Sequence, residues 1–447
     1  ASPFPFWFNF GMFKGDTQKA KLIAQVQQKY DWPRRVHVST GKNQKERVIE
    51  VASILQGSLS VAASLQSTDP ELLDNVNRKN ISIDALSEMA AQAEGVDAGT
   101  YTELILGLPG DTVEKHTQSL RDTVNANLGL IRMYQLILLP QTELNTEEQR
   151  NTFGMQTQYR VMPRSFGGYS LYGESFVAVE YEEICIANNT MSFEDYIHCR
   201  EMDLTIEILQ NGNTFLELQG FCKWVGYDWF ELMTDFNKTR RESSPGIKNL
   251  FDTFRQEFLA GLWKNPEALC ETVEGDLSKY LEKDNGTNEM SNAKATAFFF
   301  VYEEVLAALV KNLKVGLQRR DQLTDLLDRY LDELSDFILL RREDLLESGA
   351  PKRRIFQFHF DALMAEKFNV DPAEYEASEP VVMDFWHSNR QLEMIRSYVH
   401  LYGDSHDGLG RICMRAPMNK LYRQVTVEGV AQDIDYVVNR PTTVSLD

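Results

Sequence analysis

Short apolar or β-branched runs alternate with amphipathic stretches along the first 145 residues. This alternation predicts successive βα units, in which each strand is followed by a helix that packs on a parallel sheet or barrel. The apolar runs predict strands at Arg35–Ser39, Leu59–Leu65, Thr102–Leu108 and Ile131–Leu139. The helical periodicity between them predicts helices at Thr17–Tyr30, Gln44–Leu55, Asp69–Val76, Ile83–Ala93 and Thr112–Leu128.

The pattern changes after residue 145. Up to about residue 240 the signals are mixed: a Gly/Tyr/Ser-rich loop at Phe166–Gly173, a strand at Phe176–Ile186 and a helix that begins near Ser192. Leucines at helical spacing among many charges then predict a mainly helical region from about 245 to 348. Beyond it we expect an aromatic strand, a helix and terminal strands, at Phe356–Phe360, Ser388–Tyr402 and Tyr422–Val427.

These changes divide the chain into three predicted regions. Residues 1–165 contain the βα units, residues 166–244 form a junction with mixed strands and a helix, and residues 245–447 form a mainly helical C-terminal domain with terminal strands. The predicted fold class is therefore α/β, followed by a helical region.

The chain is strongly acidic. It has 66 Asp and Glu against 46 Lys and Arg, a formal net charge of −20. Like charge repels at long range, so nucleic acid and an anionic membrane surface are not expected as partners. No apolar run has the length that spans a bilayer, and the aromatic N-terminus lacks the features of a signal peptide, which predicts a cytoplasmic protein.

The polar residues that follow the predicted strands are the candidates for chemistry, because ligands collect at the carboxyl ends of parallel strands. They include Ser39 with the nearby pair Lys42-Asn43, the segment Ser64–Ser67, and Glu103 with the loop Gly107–Gly110. Lys42-Asn43 is interpreted equally well as substrate-facing or as an ordinary helix N-terminus.

The order of these segments resembles the middle of a radical S-adenosylmethionine (SAM) domain. The resemblance rests on Ser64–Asp69, then Asn77–Ile81, then Glu103–Gly110. Further segments, Asn9–Asp16 and Met133–Leu136, resemble the branch in which a cobalamin-binding domain precedes the barrel. The resemblance implies a partial TIM-like (βα) barrel of the radical SAM type, incomplete at its N-terminus, and a function in radical chemistry or cobalamin-dependent methyl transfer on an unknown small molecule.

The resemblance implies a SAM site with three polar residues. Gln66 matches a position that hydrogen-bonds the nucleoside or the methionyl part, and an amide can both donate and accept. Arg78 matches the residue that holds the methionyl carboxylate, where a guanidinium can make two charge-assisted bonds. Glu103 matches the residue that accepts from the ribose hydroxyls.

Three further positions complete the implied site. Gly107 and Gly110 would let the backbone approach the adenine, and Ser39 ends a strand where relatives carry a polar group. Taken singly, each polar candidate also has a structural interpretation: Gln66 as a satisfied buried amide, Arg78 as a cation at a helix C-terminus and Glu103 as a salt-bridge partner. Their recurrence on successive strand ends favours the ligand site.

The cysteine motif that such an enzyme needs is absent from this sequence. The cysteines are 185, 199, 222, 270 and 413, with no CxxxCxxC spacing. We therefore expect an N-terminally truncated chain, with the ligands of the 4Fe-4S cluster and the cobalamin domain outside it, and an electron-donor protein as a partner of the whole enzyme. The alternative is a degenerate, non-catalytic SAM-binding or scaffold protein.

Overall fold

The computed structural model describes residues 6–30, 32–33, 36–40, 45–55, 58–62, 65–79, 82–95, 99–282, 288–346, 351–416 and 418–427. Its first part alternates strands with helices: β1 (Phe6–Phe10), α1 (Asp16–Tyr30), β2 (His37–Thr40), α2 (Lys45–Ile54), β3 (Ser60–Ala62), α3 (Pro70–Asn75), α4 (Ile83–Gly95), β4 (Gly99–Leu106), α5 (Val113–Asn125) and β5 (Leu130–Gln135).

The strands of this part are parallel. β1 pairs with β2, and β4 lies between β3 and β5. An isolated parallel bridge between Val36 and Leu59 continues the order from β2 to β3. Each predicted strand and helix of this region overlaps an observed one, so the mixed α/β fold with parallel βα units is confirmed.

Local capping explains where two of the helices begin. Asp69 accepts a hydrogen bond from the Leu72 N–H at 3.0 Å, and Pro70 occupies the first helical position of α3. Thr112 accepts from the Lys115 N–H at 3.2 Å at the start of α5. Both caps satisfy amide groups that a helix leaves without an internal partner.

A short helix and a long hairpin follow: α6 (Glu147–Phe153), β6 (Gln156–Leu171) and β7 (Glu174–Ala187). Tyr172 and Gly173 both have positive φ, 55° and 89°, and close the hairpin as a two-residue turn. The prediction of a loop at Phe166–Gly173 was therefore wrong. Most of that segment belongs to β6, because pairing with β7 along the hairpin outweighs the turn tendency of its glycines.

The rest of the described chain is mainly helical: α7 (Phe193–Leu209), α8 (Leu216–Val225), α9 (Trp229–Ser243), α10 (Pro245–Ala260), α11 (Pro266–Gly275), α12 (Leu277–Glu282), α13 (Glu289–Phe299), α14 (Tyr302–Arg319), α15 (Asp325–Arg342), β8 (Lys352–Phe358), α16 (Phe360–Ala365), β9 (Glu376–Trp386), α17 (Asn389–Tyr402), α18 (His406–Arg415), α19 (Met418–Leu421) and β10 (Gln424–Val427). β9 pairs antiparallel with both β8 and β10. Within the described residues, no helix has the length and apolarity needed to cross a bilayer.

Two compact units divide the chain. The first contains the described residues up to Gln158 and those from Glu183 to Arg200. The second contains Tyr159–Glu182 and the described residues from Glu201 onward. The three predicted domain ranges stay predictions, which limited proteolysis can test.

Aromatic packing forms part of the core of the second unit. Phe337 on α15 contacts the rings of Phe356, Phe360, Phe368 and Phe385, with ring centroids 4.9–6.2 Å apart. Buried Glu217 in this unit accepts from Arg341 at 2.6 Å and from Arg342 at 2.9 Å. Pairing offsets the cost of removing these charges from water.

Close packing of α8 yields a stability prediction. A Cβ added at Gly220 would overlap the Lys367 carbonyl oxygen and lie 3.0 Å from Phe368 Cβ. We therefore expect Gly220→Ala to lower the free energy of unfolding by about 1–3 kcal/mol, as overpacked cores do. Urea unfolding followed by circular dichroism measures it. Gly275→Ala is the control, since a Cβ at this helical position meets no atom within 4 Å. Equal stability of the two variants would contradict the packing.

Candidate functional site

Gln66 lies beside β4 in the first unit. Its N–H donates to the Glu103 carbonyl at 3.0 Å, and its carbonyl accepts from the Ile105 N–H at 2.8 Å. Gln66 has a φ of 94°, which is uncommon for a residue with a side chain. Its side-chain Oε1 is buried and has no hydrogen-bond partner among the described residues. Gln66 therefore pairs with Leu104, the residue that follows Glu103 in the chain, and its positive φ interrupts the regular alternation of side chains at this point.

The strand β4 has two different faces. Thr102, Leu104 and Leu106 are fully buried, and helices α4 and α5 contact this strand. Tyr101 and Glu103 alternate with them and are partly exposed. Because successive side chains of a strand point to opposite faces, these two lie on the face away from the buried residues.

The neighbouring strand β5 adds further polar groups to this face. Arg132 pairs in register with Glu103, and Tyr134 pairs with Ile105. Paired residues of parallel strands project to the same side, so a carboxylate, a guanidinium and two phenols share one surface. We call Tyr101, Glu103, Arg132 and Tyr134 the polar face.

Charge and partial burial shape the polar face. Burial raises the pKa of Tyr101, and the nearby Glu103 carboxylate raises it further. Burial also raises the pKa of Tyr134, although the positive charge of the nearby Arg132 acts in the opposite direction. Within the described part of the chain, no ion pair or side-chain hydrogen bond engages Glu103. Its carboxylate oxygens are therefore available to accept hydrogen bonds from a ligand.

The loop after β4 depends on its glycines. Gly107 and Gly110 have φ of 85° and 83°, a conformation that side chains other than glycine rarely adopt. A Cβ on Gly107 would lie 3.3 Å from the Cys185 carbonyl oxygen, and one on Gly110 would lie 3.0 Å from Asn75 Nδ2. These positions thus have a structural need for glycine, and their predicted contact with adenine stays a prediction.

Two buried aspartates hold the loops that follow β1 and β4. Asp16 accepts from the N–H groups of Gly11 and Phe13, both at 3.0 Å. Asp111 accepts from the Gly107 N–H at 3.0 Å and the Thr112 N–H at 2.9 Å. Sequence reasoning missed both, although an aspartate a few residues after a strand-ending glycine is a readable signal.

The remaining predicted site residues are placed as follows. Arg78 is exposed and follows α3, where its backbone N–H donates to the Leu73 carbonyl at 2.9 Å. Ser39 lies in β2, and the structure describes its backbone only. Lys42 and Asn43 lie outside the described residues. Sequence reasoning did not single out Tyr101 or Arg132, whose relation to Glu103 depends on strand register.

The cysteines do not fit an iron–sulfur cluster. Cys185, Cys199, Cys222 and Cys413 are buried, and Cys270 is partly exposed. Burial raises the pKa of Cys185 to about 11 and of Cys413 to about 12, which opposes the thiolate form that binds iron. Among the described residues, no group of three or more His, Cys, Asp or Glu could hold a metal ion.

Two curated proteins are similar to this chain. One is the cobalamin-dependent radical SAM methyltransferase TokK of Streptomyces tokunonensis, 29% identical over 250 residues, which are 53% of this chain and 35% of that protein. The other is the 2-(S-pantetheinyl)-carbapenam-3-carboxylate methyltransferase of Streptantibioticus cattleyicolor, 28% identical over 215 residues, 46% of this chain and 30% of that protein. These relatives confirm the predicted resemblance to the cobalamin-dependent radical SAM branch.

The extent of the likeness is limited. The chain spans about a third of the length of these curated relatives. No family model matches it. A solved structure, coproporphyrinogen III oxidase (HemN) of Escherichia coli, is 15% identical, with a TM-score of 0.20, and the match covers 31% of this chain and 45% of that one. A structural likeness at this level has no bearing on the fold or the function.

The two loop aspartates yield a pH prediction with opposite signs. Burial raises the pKa of Asp111, so the folded state binds its proton more tightly and its contribution to stability falls as pH rises above the ordinary value. Burial acts the same way on Asp16, but hydrogen bonds from Lys19 and two backbone amides outweigh it and lower the pKa. Its contribution is present above the ordinary pKa and lost as pH falls through the lowered one.

Urea unfolding of the wild type, Asp111→Asn and Asp16→Asn from about pH 3 to pH 7 measures these contributions. The wild-type advantage over Asp16→Asn should shrink towards acid from about 1–3 kcal/mol at neutral pH. The free energy of unfolding of the wild type relative to Asp111→Asn should instead increase towards acid. A stability difference that changes with pH in the same direction for both variants would contradict the assignment.

Proposed function

We propose that this chain is the SAM-binding part of a cobalamin-dependent radical SAM methyltransferase. The similarity to two methyltransferases supports the reaction class. The parallel order of β1 to β5 supports a partial (βα) barrel of the radical SAM type as the finer description of the first unit. The proposal includes a small-molecule methyl acceptor and an electron-donor protein as partners.

One observation carries the proposal at the level of residues. Gln66 carries a buried Oε1 with no hydrogen-bond partner among the described residues, and its backbone is hydrogen-bonded to Glu103 and Ile105. Because its φ of 94° interrupts strand alternation, we take its side chain to reach the ligand on the side of Glu103 and not the buried side on which Leu104 lies. An unpartnered buried acceptor is costly, so a donor from a ligand would offset that cost. The neighbouring carboxylate is available to accept from the paired hydroxyls of a ribose.

The chain's own residues fit the nucleoside and not the cluster. SAM, when bound, supplies the methyl group and the adenosyl group used by this class of enzyme. Gln66 and Glu103 would bind and orient its nucleoside, and the loops held by Asp16 and Asp111 would keep the strand ends in place. The proposal assigns no cluster ligand to the described residues, because their cysteines are scattered and mostly buried and do not suit that role.

Binding of SAM to the chain tests the proposal. Isothermal titration calorimetry should show that Glu103→Gln weakens binding about tenfold or more, because hydrogen bonds to a charged group contribute roughly 1.5–3 kcal/mol each. Gln66→Ala should weaken binding as well. Glu114→Gln, which removes one exposed carboxylate from α5, is the matched control and should bind like the wild type.

The outcome against the proposal is also specific. If the folded wild-type chain binds no SAM, or if Glu103→Gln and Gln66→Ala both bind it with unchanged affinity, the assignment of this site is wrong. Circular dichroism of each variant separates loss of binding from loss of structure.

A further inference from the structure

Arg132 is the one cation in the polar face, and the proposed function so far gives it no role. It pairs in register with Glu103 on the adjacent strand and is partly exposed. Its guanidinium lies close to the phenol of Tyr134, whose pKa its positive charge lowers, and Tyr134 is itself 45% exposed. A guanidinium has five donors in a planar fork, so one phenol leaves most of its donors available.

A cross-strand ion pair with Glu103 would be the simplest use of this arginine. In the described part of the chain, however, the structure shows no ion pair between the two side chains. By contrast, Arg150 makes a bidentate pair with Glu183 in the same unit, at 2.8 and 2.7 Å. The polar face therefore keeps a carboxylate and a guanidinium side by side without using one to neutralise the other.

Such a pair suits a ligand that carries both hydroxyls and an anion. The carboxylate accepts from hydroxyl or ammonium groups, and the planar guanidinium matches a carboxylate through two parallel hydrogen bonds. Partial burial strengthens both interactions, since the local dielectric constant is lower than in water.

We propose that Arg132, oriented by Tyr134, binds a ligand carboxylate on the same face as Glu103. The inference rests on the proposed function, because Glu103 is taken to bind the nucleoside of SAM. The carboxylate has two possible sources: the methionyl group of SAM, or a second ligand bound next to it. The resemblance assigned the methionyl carboxylate to Arg78, which is exposed and follows α3.

The first arm of the test compares SAM with 5′-deoxy-5′-methylthioadenosine, which has the same nucleoside and a thioether but no carboxylate. Calorimetry is run on the wild-type chain, Arg132→Gln and Arg132→Lys. If SAM is the source, Arg132→Gln weakens its binding about tenfold or more and leaves methylthioadenosine unchanged. Arg132→Lys, which keeps the charge and loses the fork, gives an intermediate loss.

The second arm uses acetate as the probe for a second ligand. Broadening of the carboxyl 13C resonance of labelled acetate is measured with the chain free and with the chain saturated by SAM. If a second ligand is the source, both variants bind SAM normally, and the broadening seen with the saturated wild-type chain disappears in Arg132→Gln. Arg390→Gln, an exposed arginine on α17, is the matched control in both arms and should behave like the wild type.

Other outcomes overturn the inference. Equal weakening of SAM and methylthioadenosine by Arg132→Gln would show a general loss of the site. No effect in either arm would show that Arg132 binds no carboxylate. If the wild-type chain binds neither nucleoside, the proposed function fails, and the acetate measurement on the free chain still decides the role of Arg132.

Discussion

The alternation of side chains along β4 is the constraint on which the first unit depends. Thr102, Leu104 and Leu106 are buried on one face, and α4 and α5 contact the strand. This burial fixes the register, because a shift by one residue would move the apolar set to the other face. The same constraint sends Tyr101 and Glu103 to the opposite face, where β5 adds Arg132 in register. One face of β4 thus belongs to the core, and the opposite face carries the candidate site.

The loop after β4 is stabilised by hydrogen bonds from its own residues and from a distant segment of the same unit. Asp111 satisfies two backbone amides of the turn after β4, and the Thr190 hydroxyl donates to its carbonyl. The Asn188 amide donates to the Leu108 carbonyl at 3.1 Å. A turn whose backbone groups are already paired has little freedom to move, which is what a binding loop needs for a defined geometry.

The second unit is stabilised by different interactions. Its helices pack through aromatic rings, and they bury charge pairs such as Lys294 with Glu207 at 2.7 Å. Removing one member of such a group would leave an uncompensated buried charge, which costs more than the pair contributes. Loss of one member is therefore expected to destabilise the packing of these helices.

The sequence by itself determined the elements whose signals are local. Helix periodicity and caps such as Asp69 and Thr112 act within a few residues, so α1 to α5 and β2 to β5 could be predicted from it. The sequence also singled out Gln66 and Glu103, although Glu103 lies within β4 (Gly99–Leu106) and not at its end, and their role in binding stays a prediction.

Only the tertiary structure decided features that depend on pairing between distant segments. Phe166–Gly173 is mostly strand because β7 pairs with it, and Arg132 shares a face with Glu103 because β5 pairs with β4 in one register. The division into units also depends on long-range pairing: Tyr159–Glu182 belongs to the second unit, whereas the residues on either side of it in sequence belong to the first. Local periodicity does not predict which strand a segment pairs with, because pairing and register depend on long-range packing.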